Sequence, residues 1–427
     1  MKKILLFVKS FNDFDQALPF IDYIVSNTDD KILVWSFDKD LSGCRDHKRY
    51  LKNNLNVSLE YLDEKNTSVV KKLLLRYLLI SVYVAKKSKK NKYFIPLTII
   101  MSHMWPILMI MINKVIAKVL SKIDIDIILM DTGSEITMNG RAVVNYANLN
   151  NIPVVCYSHG YSPYTNIDHN AKDRNEYTLF QKIILKFAKP KRKRIYADRY
   201  ITSPNQKKYF FSMPTTSGGF EVTELDRVIE IGIPRFTYEW VKKYKKTIKL
   251  NSKFEYGDSS KLNVVMFMTP PKYNVSSVEL YKLFEFLDSL GHINFVFKPH
   301  TRYVLDSINK DNLTGMDASD INSVLLSEWA DVAIFFGSSV SYQLILDKVP
   351  LIYPKYVTSN DIFLEDMDVC IPVHNQEDID KILSLDKARV LKLLNSEKKD
   401  TFIRDILYGG VDNHLFMKKY YNSILGI

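Results

Sequence analysis

Four clusters of polar residues that could do chemistry each follow a short apolar run in this sequence of 427 residues. The first is Lys298-Pro299-His300-Thr301-Arg302, which brings an ammonium, an imidazole and a guanidinium close together along the chain. Lysine supplies a point charge, arginine a bidentate fork and histidine a donor, and this combination suits a phosphate or diphosphate. A solvated basic turn is the alternative interpretation.

The second cluster is Gly337-Ser338-Ser339, which lies between an apolar run and a helical pattern. At a strand-to-helix turn, free backbone N–H groups and the helix dipole attract an anion, and the serines add hydroxyl donors. Ordinary N-capping by serine is the alternative. Two anion-binding turns in the same half of the chain favour a phosphate site there.

The other two clusters lie in the first half of the chain. Asp131 and Glu135 flank a glycine turn, and either carboxylate could take a proton from an acceptor hydroxyl or act as a nucleophile. His159 precedes Gly160 and could be a general base or a phosphate ligand. Helix capping and a structural turn remain the alternatives for these residues.

The elements that must position these clusters show the pattern of parallel βα units, in which short apolar runs alternate with longer helical patterns. Predicted strands are Ile4–Val8, Lys31–Ser36, Val57–Tyr61, Ile127–Met130, Val154–Tyr157, Arg199–Thr202, Asn263–Met268, Asn294–Lys298, Val332–Phe336, Leu351–Tyr353 and Cys370–Val373. Open α/β sheets bind ligands at the carboxyl ends of their strands. The four clusters are therefore expected to face a common cleft.

The length of the chain predicts two or three domains. The best boundary is Gly232-Ile233-Pro234-Arg235-Phe236, and the charged stretch Lys242–Ser260 after it is predicted to be irregular. We predict an N-terminal domain over 1–235, a C-terminal domain over 236–400 and a tail helix over 401–427 that packs back across another domain.

Charge and composition restrict the class of protein. With 46% hydrophobic and 25% charged residues the chain is globular, and its net charge of +11 suits nucleic acid, anionic lipid or a phosphorylated substrate, or simply a solvated surface. Nucleic acid is disfavoured because the basic run Lys189–Arg194 has no interleaved aromatics. Three scattered cysteines predict neither disulfides nor structural zinc, and they indicate a cytoplasmic location. P-loop, dinucleotide and metal-site motifs are absent from the sequence.

An uncharged segment, Tyr93–Ile112, follows the lysine cluster Lys86–Lys92. Its length suffices to span a bilayer, but Pro96, His103 and Pro106 disfavour a spanning helix. A buried helix or helical pair, a membrane-surface helix and a true span remain open. The segment and its flanking lysines are therefore a candidate peripheral membrane contact.

Taken together, these motifs resemble a GT-B glycosyltransferase of bacterial capsule and surface polysaccharide synthesis. The matching segments are Gly232–Phe236, similar to the interdomain segment, and Ser327–Val332, Gly337–Ser339 and Asp347–Ile352, similar to the nucleotide-domain pattern. The Lys-Pro-His and Ser-Ser motifs resemble those of CMP-sialic acid and Kdo-type transferases and of CDP-glycerol (polyol-phosphate) transferases. The chain departs from the pattern at Asp347, where glycine is usual, and at Thr301, where proline is common.

The resemblance implies an α/β protein of the GT-B fold, with two Rossmann-like domains facing across a cleft and a C-terminal helix packing back. It implies metal-independent transfer of a sugar from a cytidine nucleotide, of the CMP-nonulosonate or Kdo type, to a glycan or lipid-linked glycan, with no further cofactor. A CDP-glycerol transferase, a UDP-sugar 2-epimerase of the same fold and a non-catalytic membrane-surface scaffold are the alternatives.

Site residues follow from the clusters and the resemblance together. The expected donor-binding residues are Lys298, His300, Arg302, Gly337, Ser338 and Ser339. The candidates for the residue that activates the acceptor are Asp131, Glu135 and His159.

Overall fold

The structure is a computed structural model that describes residues 1–36, 41, 44–61, 104–158, 160–161, 163–165, 194–207, 220–249, 254–269, 274–299 and 315–426. Within these ranges the strands form two separate parallel sheets, one in each half of the chain. Their side chains are almost continuously apolar and buried, as expected for parallel strands covered on both faces.

The first sheet has seven described strands in the order β3-β2-β1-β4-β5-β6-β7. Their bounds are β1 Lys3–Val8, β2 Lys31–Ser36, β3 Leu59–Tyr61, β4 Ile127–Asp131, β5 Val154–Tyr157, β6 Arg199–Thr202 and β7 Val228–Glu230. Consecutive strands are added outward from β1 on one side and from β4 on the other. The point at which the strand order reverses therefore lies between β1 and β4.

The second sheet has six described strands in the order β10-β9-β8-β11-β12-β13. Their bounds are β8 Leu262–Phe267, β9 Ile293–Lys298, β10 Met316–Asp317, β11 Val332–Phe335, β12 Leu351–Pro354 and β13 Ile371–Val373. Its strand order follows the same pattern as that of the first sheet, and the strand order reverses between β8 and β11. The expectation of two Rossmann-like sheets is confirmed.

The helices between these strands occupy most of the positions that the sequence pattern predicts. In the first half they are α1 Phe11–Asn27, α2 Arg45–Asn54, α3 Trp105–Leu120 and α4 Met138–Leu149. In the second half they are α5 Tyr238–Lys249, α6 Ser277–Ser289, α7 Ser323–Trp329, α8 Val340–Leu346, α9 Phe363–Asp366, α10 Gln376–Leu383, α11 Lys387–Lys392, α12 Ser396–Phe402 and α13 Asn413–Leu425. The sequence also shows a helical pattern over Val69–Ala85, and these residues lie outside the described ranges.

The prediction of an irregular stretch over Lys242–Ser260 is wrong in its first part, where α5 runs to Lys249. Its lysines are conspicuous in the sequence, but Trp240, Tyr244 and Ile248 repeat at helical spacing and are buried. The rings of Trp240 and Tyr244 stack with centroids 5.4 Å apart. The charged residues form the outer face of a helix that the apolar residues hold against the protein.

The interdomain segment Pro234–Phe236 is a short 3-10 turn that is clamped to the N-terminal domain by charge. Arg235 donates from Nε to the Asp15 carboxylate of α1 at 2.7 Å, and the same carboxylate lies 2.9 Å from Nε2 of His47 in α2. Burial would raise the pKa of Asp15, but Arg235 and His47 hold it at about 2. The predicted domain boundary at 235/236 falls within this turn, and the boundaries themselves stay a prediction.

Asp347, which stands where the resemblance has glycine, has a structural role at the end of α8. Its carboxylate accepts from Lys245 Nζ at 2.6 Å and from Ser327 Oγ at 2.7 Å, so it ties α5 to the second domain. The positive φ of this turn falls on the next residue, Lys348, at 63°. Glycine is therefore not needed at 347.

The C-terminal segment returns to the N-terminal domain, but as α12, a π-helical turn Ile403–Leu407 and α13 rather than as one helix. The ring of Tyr420 in α13 stacks on Phe20 of α1, and Arg199, the first residue of β6, donates to the carbonyl oxygens of Ser423 and Gly426. The break comes at Gly409-Gly410, where both residues have positive φ.

Part of the uncharged segment Tyr93–Ile112 lies in α3, whose inner side chains belong to the core under the first sheet. Residues 93–103 lie outside the described residues. Among the residues that the structure describes, no helix is both long and apolar enough to cross a membrane.

The chain returns from the second domain to the first at Gly409-Gly410, where it passes close to the interdomain segment. A Cβ at Gly409 would overlap the carbonyl oxygen of Ile231, whereas a Cβ at Gly410 would meet nothing within 4 Å. Both residues have positive φ, so alanine is strained at either site. Gly409→Ala should therefore lower the free energy of unfolding by about 2 kcal/mol more than Gly410→Ala, the excess coming from overpacking. Urea unfolding of the two variants measures this difference, and equal losses would contradict the contact.

Candidate active site

The carboxyl edges of the two sheets face each other, because the loop after β5 reaches the loops after β11 and β12. Tyr164 pairs with Ile362 in an antiparallel bridge, and its hydroxyl donates to the carbonyl oxygen of Phe336. On either side, the Thr165 N–H donates to Asp361 at 2.9 Å and the Phe363 N–H donates to Pro163 at 3.0 Å. Residues that end strands in the two domains are thereby brought to one cleft.

At the switch point of the first sheet, an ion pair joins the two central strands. Lys9 directly follows β1, Asp131 ends β4, and Lys9 Nζ lies 2.9 Å from Asp131 Oδ2. The carboxylate is fully buried, whereas the lysine side chain is 27% exposed. Burial lowers the pKa of Lys9, but the Asp131 carboxylate and other nearby acids raise it overall, so the lysine stays charged.

A second carboxylate, Asp13 in the first turn of α1, lies beside this pair. It accepts the backbone N–H of Lys9 at 2.5 Å and that of Ser10 at 2.6 Å, and therefore caps the helix. Burial and the neighbouring Asp131 charge raise its pKa to about 6. The carboxylates of Asp13 and Asp131 thus lie on either side of Lys9, at the place where parallel α/β sheets bind ligands.

Glu135 has a different environment, although it follows Asp131 by four residues. Its carboxylate is buried, pairs with the guanidinium of Arg194 and accepts the Gly133 N–H at 2.6 Å. Arg194 lies over the ring of Phe220, 4.8 Å from its centroid. Burial raises the pKa of Glu135 although Arg194 opposes the rise. These contacts stabilise the loop after β4, and a proton-accepting role for Glu135 stays a prediction.

The switch point of the second sheet is formed by Thr269 after β8 and by Gly337 to Ser339 after β11. Gly337 has a φ of 95°, and a Cβ on it would overlap the ring of Tyr164. Ser338 Oγ accepts the Val340 N–H at 3.4 Å, a capping contact, and both serines are partly exposed. The glycine therefore permits close approach by the other domain, and Ser338 and Ser339 follow it in the same turn.

Lys298 ends β9 at the same edge. Its ammonium donates to the carbonyl oxygens of Ala318 and Ser319, each at 3.1 Å, and of Ile321 at 2.5 Å. Burial lowers its pKa to about 8. Through these hydrogen bonds Lys298 holds the loop after β10. An anion that binds Lys298 would have to compete with the three carbonyl oxygens for its ammonium group.

The remaining candidates, His159, His300 and Arg302, lie outside the described residues, so the structure tests none of them. The roles of Asp131, Gly337, Ser338, Ser339 and Lys298 also stay predictions, although these residues do end or follow strands on the cleft side. Within the described ranges, no group of three His, Cys, Asp or Glu side chains could hold a metal ion.

A cavity of about 470 Å³ lies elsewhere, between α5 and the carboxyl ends of α7 and α8. Those helix ends lead into β11 and β12, so the cavity is at the amino edge of the second sheet, away from the cleft. Its lining includes Lys242, Lys246 and the paired Lys245 and Asp347. The geometry of the strand ends, and not cavity volume, therefore locates the candidate site.

Solved structures with the same arrangement establish the fold as GT-B. A UDP-GlcNAc 2-epimerase from Neisseria meningitidis bound to UDP-GlcNAc aligns with a TM-score of 0.52 and 12% identity over 100% of both chains. The glycotransferase of kitacinnamycin gives 0.52 and 12% over 99% of each chain. The wall teichoic acid polymerase TagF with CDPG gives 0.51 and 14% over 100% of this chain and 88% of that one. No protein-family model and no curated protein matches the sequence.

Sequence reasoning missed Lys9, Asp13, Thr269 and Tyr164. A signal existed for the first two, because Lys9 directly follows the opening apolar run and Ser10-Phe11-Asn12-Asp13 is a capping-box pattern. Tyr164 had no signal, since its role depends on contact with a residue far away in the chain.

The buried pair of Glu135 with Arg194 should contribute more to stability than a surface pair does. Glu135→Gln removes the counter-charge that Glu135 supplies to buried Arg194, and should cost about 3 kcal/mol of unfolding free energy. Glu224→Gln, which breaks the surface pair with Arg227, should cost less than about 1 kcal/mol in the same urea titration. A Glu135 variant of normal stability that has lost turnover would instead identify a catalytic residue.

Asp13 gives stability a pH dependence of known sign. Its folded-state pKa of about 6 exceeds the ordinary 3.8, so the folded state binds the proton more tightly and stability falls as pH rises through about 6. Asp13→Asn removes this titration. The stability of the variant relative to the wild type should rise by about 2.5 kcal/mol between about pH 4 and about pH 8. Urea unfolding at both pH values measures it, and a pH-independent difference would contradict the assignment.

Proposed function

We propose that the protein is a metal-independent glycosyltransferase that moves a sugar from a cytidine nucleotide to a glycan or lipid-linked glycan in bacterial surface polysaccharide synthesis. The donor is of the CMP-nonulosonate or Kdo type, and the location is cytoplasmic. The observation that carries the proposal is the Lys9–Asp131 pair, placed at one switch point and opposed across the cleft by the Gly337–Ser339 turn at the other.

On the acceptor side, Asp131 is the proposed base. Lys9 pairs with its carboxylate, and Asp13 brings a second carboxylate close to the same pair. In the proposed reaction the acceptor hydroxyl gives its proton to Asp131 as its oxygen bonds the anomeric carbon. The bond from that carbon to the phosphate oxygen breaks, and the nucleotide leaves with the electron pair.

On the donor side, Ser338 and Ser339 are proposed to donate hydrogen bonds to the phosphate, with His300 and Arg302 supplying positive charge as it leaves. Support comes from the partly exposed serines at the second switch point and from the resemblance of the Lys-Pro-His and Ser-Ser motifs to those of cytidine-nucleotide transferases. Charge stabilisation of a leaving phosphate by such donors is a major source of catalysis.

A UDP-sugar 2-epimerase is the second candidate. It is favoured by the alignment of the Neisseria meningitidis epimerase over the whole of both chains. An epimerase needs no acceptor, and it converts the nucleotide sugar when that is supplied alone. A CDP-glycerol transferase is the further alternative, in line with the alignment of TagF.

The test is Asp131→Asn, which removes the base with little change in size. Transfer should fall at least about 100-fold, the lower end of what a positioned general base contributes. Asp124→Asn is the matched control, because Asp124 also pairs with a lysine, Lys3, but at the amino edge of the same sheet. Transfer is measured from radiolabelled nucleotide sugar into glycan, and the control variant should keep wild-type turnover.

Nucleotide specificity separates the candidates in the same preparation. Thermal shifts with CMP, CDP, UDP and GDP should show stabilisation by a cytidine nucleotide in the wild type and in both Asp variants, since ligands that bind the folded state raise its stability. Stabilisation by UDP alone, with conversion of a UDP-sugar in the absence of acceptor, would overturn the transferase in favour of the epimerase.

A further inference from the structure

The outward face of α3 combines exposed apolar side chains with lysines. Ile107 and Ile110 are 55% and 58% exposed, Met104 just before the helix is exposed, and so are Lys114 and Lys118 farther along. At about 100° per residue these positions lie within one third of the helix circumference. We call this stripe, Met104, Ile107, Ile110, Lys114 and Lys118, the α3 face.

This exposure is not the result of a poorly seated helix. The opposite side of α3 is buried in the core under the first sheet, through Leu108, Met109, Ile112, Ile116 and Val119. These buried residues already hold the helix against the core, so packing of α3 does not require the apolar residues of the α3 face. Isolated exposed apolar residues are common, but a row of them on one helix face marks an interaction surface.

Charge indicates what the surface binds. The sequence of α3 contains no Asp or Glu, and Lys114 and Lys118 are followed at the same spacing by exposed Lys122. An apolar stripe continued by lysines matches a bilayer with anionic headgroups, in which apolar side chains enter the acyl boundary and ammonium groups stay with the phosphates. A partner helix would instead be expected to meet an apolar stripe along the whole face.

The position of the face relates it to the cleft. α3 ends at Leu120 and β4 starts at Ile127, so the helix runs antiparallel to β4 and returns the chain to the amino edge of the sheet. The beginning of α3, with Met104, Ile107 and Ile110, consequently lies toward the carboxyl edge, the edge that holds Asp131.

We propose that the α3 face docks the protein on an anionic phospholipid bilayer, with Ile107 and Ile110 inserted and Lys114 and Lys118 at the headgroups. The surface rests on α3 alone and goes beyond the proposed function. A protein docked in this way has the acceptor edge of its first sheet next to the membrane, which suits an acceptor carried on a lipid.

The experiment is co-sedimentation of the whole protein with vesicles. Wild type should bind vesicles of phosphatidylcholine mixed with phosphatidylglycerol, and about tenfold more weakly those of phosphatidylcholine alone, because each lysine near an anionic surface adds to binding. The double variant Ile107→Glu, Ile110→Glu should lose binding to the anionic vesicles by at least about tenfold, since two inserted side chains are removed.

The matched control is the double variant Leu149→Glu, Val278→Glu. These side chains are 85% and 62% exposed on other helices, so the control adds the same charge at equally exposed apolar positions and should bind vesicles almost as wild type does. Ile107→Ser, Ile110→Ser is the milder variant, and unchanged thermal midpoints show that the variants are folded.

Three outcomes would overturn the proposal. They are no binding of wild type to anionic vesicles, equal loss in the control variant, and a wild-type dimer in solution that the Ile107 and Ile110 changes convert to monomer. The last would assign the α3 face to a second copy of the chain. Transfer to a water-soluble acceptor does not depend on docking, so loss of vesicle binding leaves the proposed function standing. Equally, absence of transfer activity leaves membrane docking through the α3 face standing.

Discussion

The parallel direction of the strands is the constraint on which the rest of this molecule depends. In each sheet it places every post-strand loop at one edge, and the reversal of strand order opens a crevice there. The contact of Tyr164 with Gly337 then sets the two edges opposite each other. A glycine at 337 satisfies two demands at once, a positive φ and the approach of an aromatic ring from the other domain. Residues more than a hundred positions apart in sequence thereby come to share one cleft.

Buried charge divides the acidic residues of the first domain into three kinds. Asp15 is held at low pKa by Arg235 and His47 and so clamps the interdomain segment. Glu135 is matched by Arg194 and stabilises its own loop. Burial and the neighbouring Asp131 charge raise the pKa of Asp13 although Lys9 and Ser10 oppose the rise, and Asp13 lies beside Asp131 at the switch point. The carboxylate with the raised pKa, Asp13, therefore lies where the fold provides a ligand site. Perturbed pKa values are common at functional sites.

The sequence predicted the sheets well because parallel strands buried on both faces are short continuous apolar runs, which few other elements produce. It predicted poorly where charge conceals a helix, as in α5, and where a strand is short and at a sheet edge, as in β7 and β10. Asp131 was found because it directly follows a buried strand. The difference between Asp131 and Glu135 was not predictable, since it depends on Arg194, a residue distant in the chain. Local pattern identifies which residues can do chemistry, and tertiary contacts decide the environment in which each of them lies.

The loop after β5 connects the carboxyl edges of the two sheets. It begins at the edge that holds the Lys9–Asp131 pair, and its residues 163–165 contact the loops after β11 and β12, where Tyr164 covers Gly337. Tyr161 in the same loop donates to the carbonyl oxygen of Gly232, at 3.3 Å, in the interdomain segment. Any change in the angle between the domains must therefore move this loop, and with it the spacing between the carboxyl edge of the first sheet and the Gly337–Ser339 turn. A group transfer needs its reacting atoms positioned to within a fraction of an ångström. The chain that links the two edges is consequently also the element that sets the distance between them.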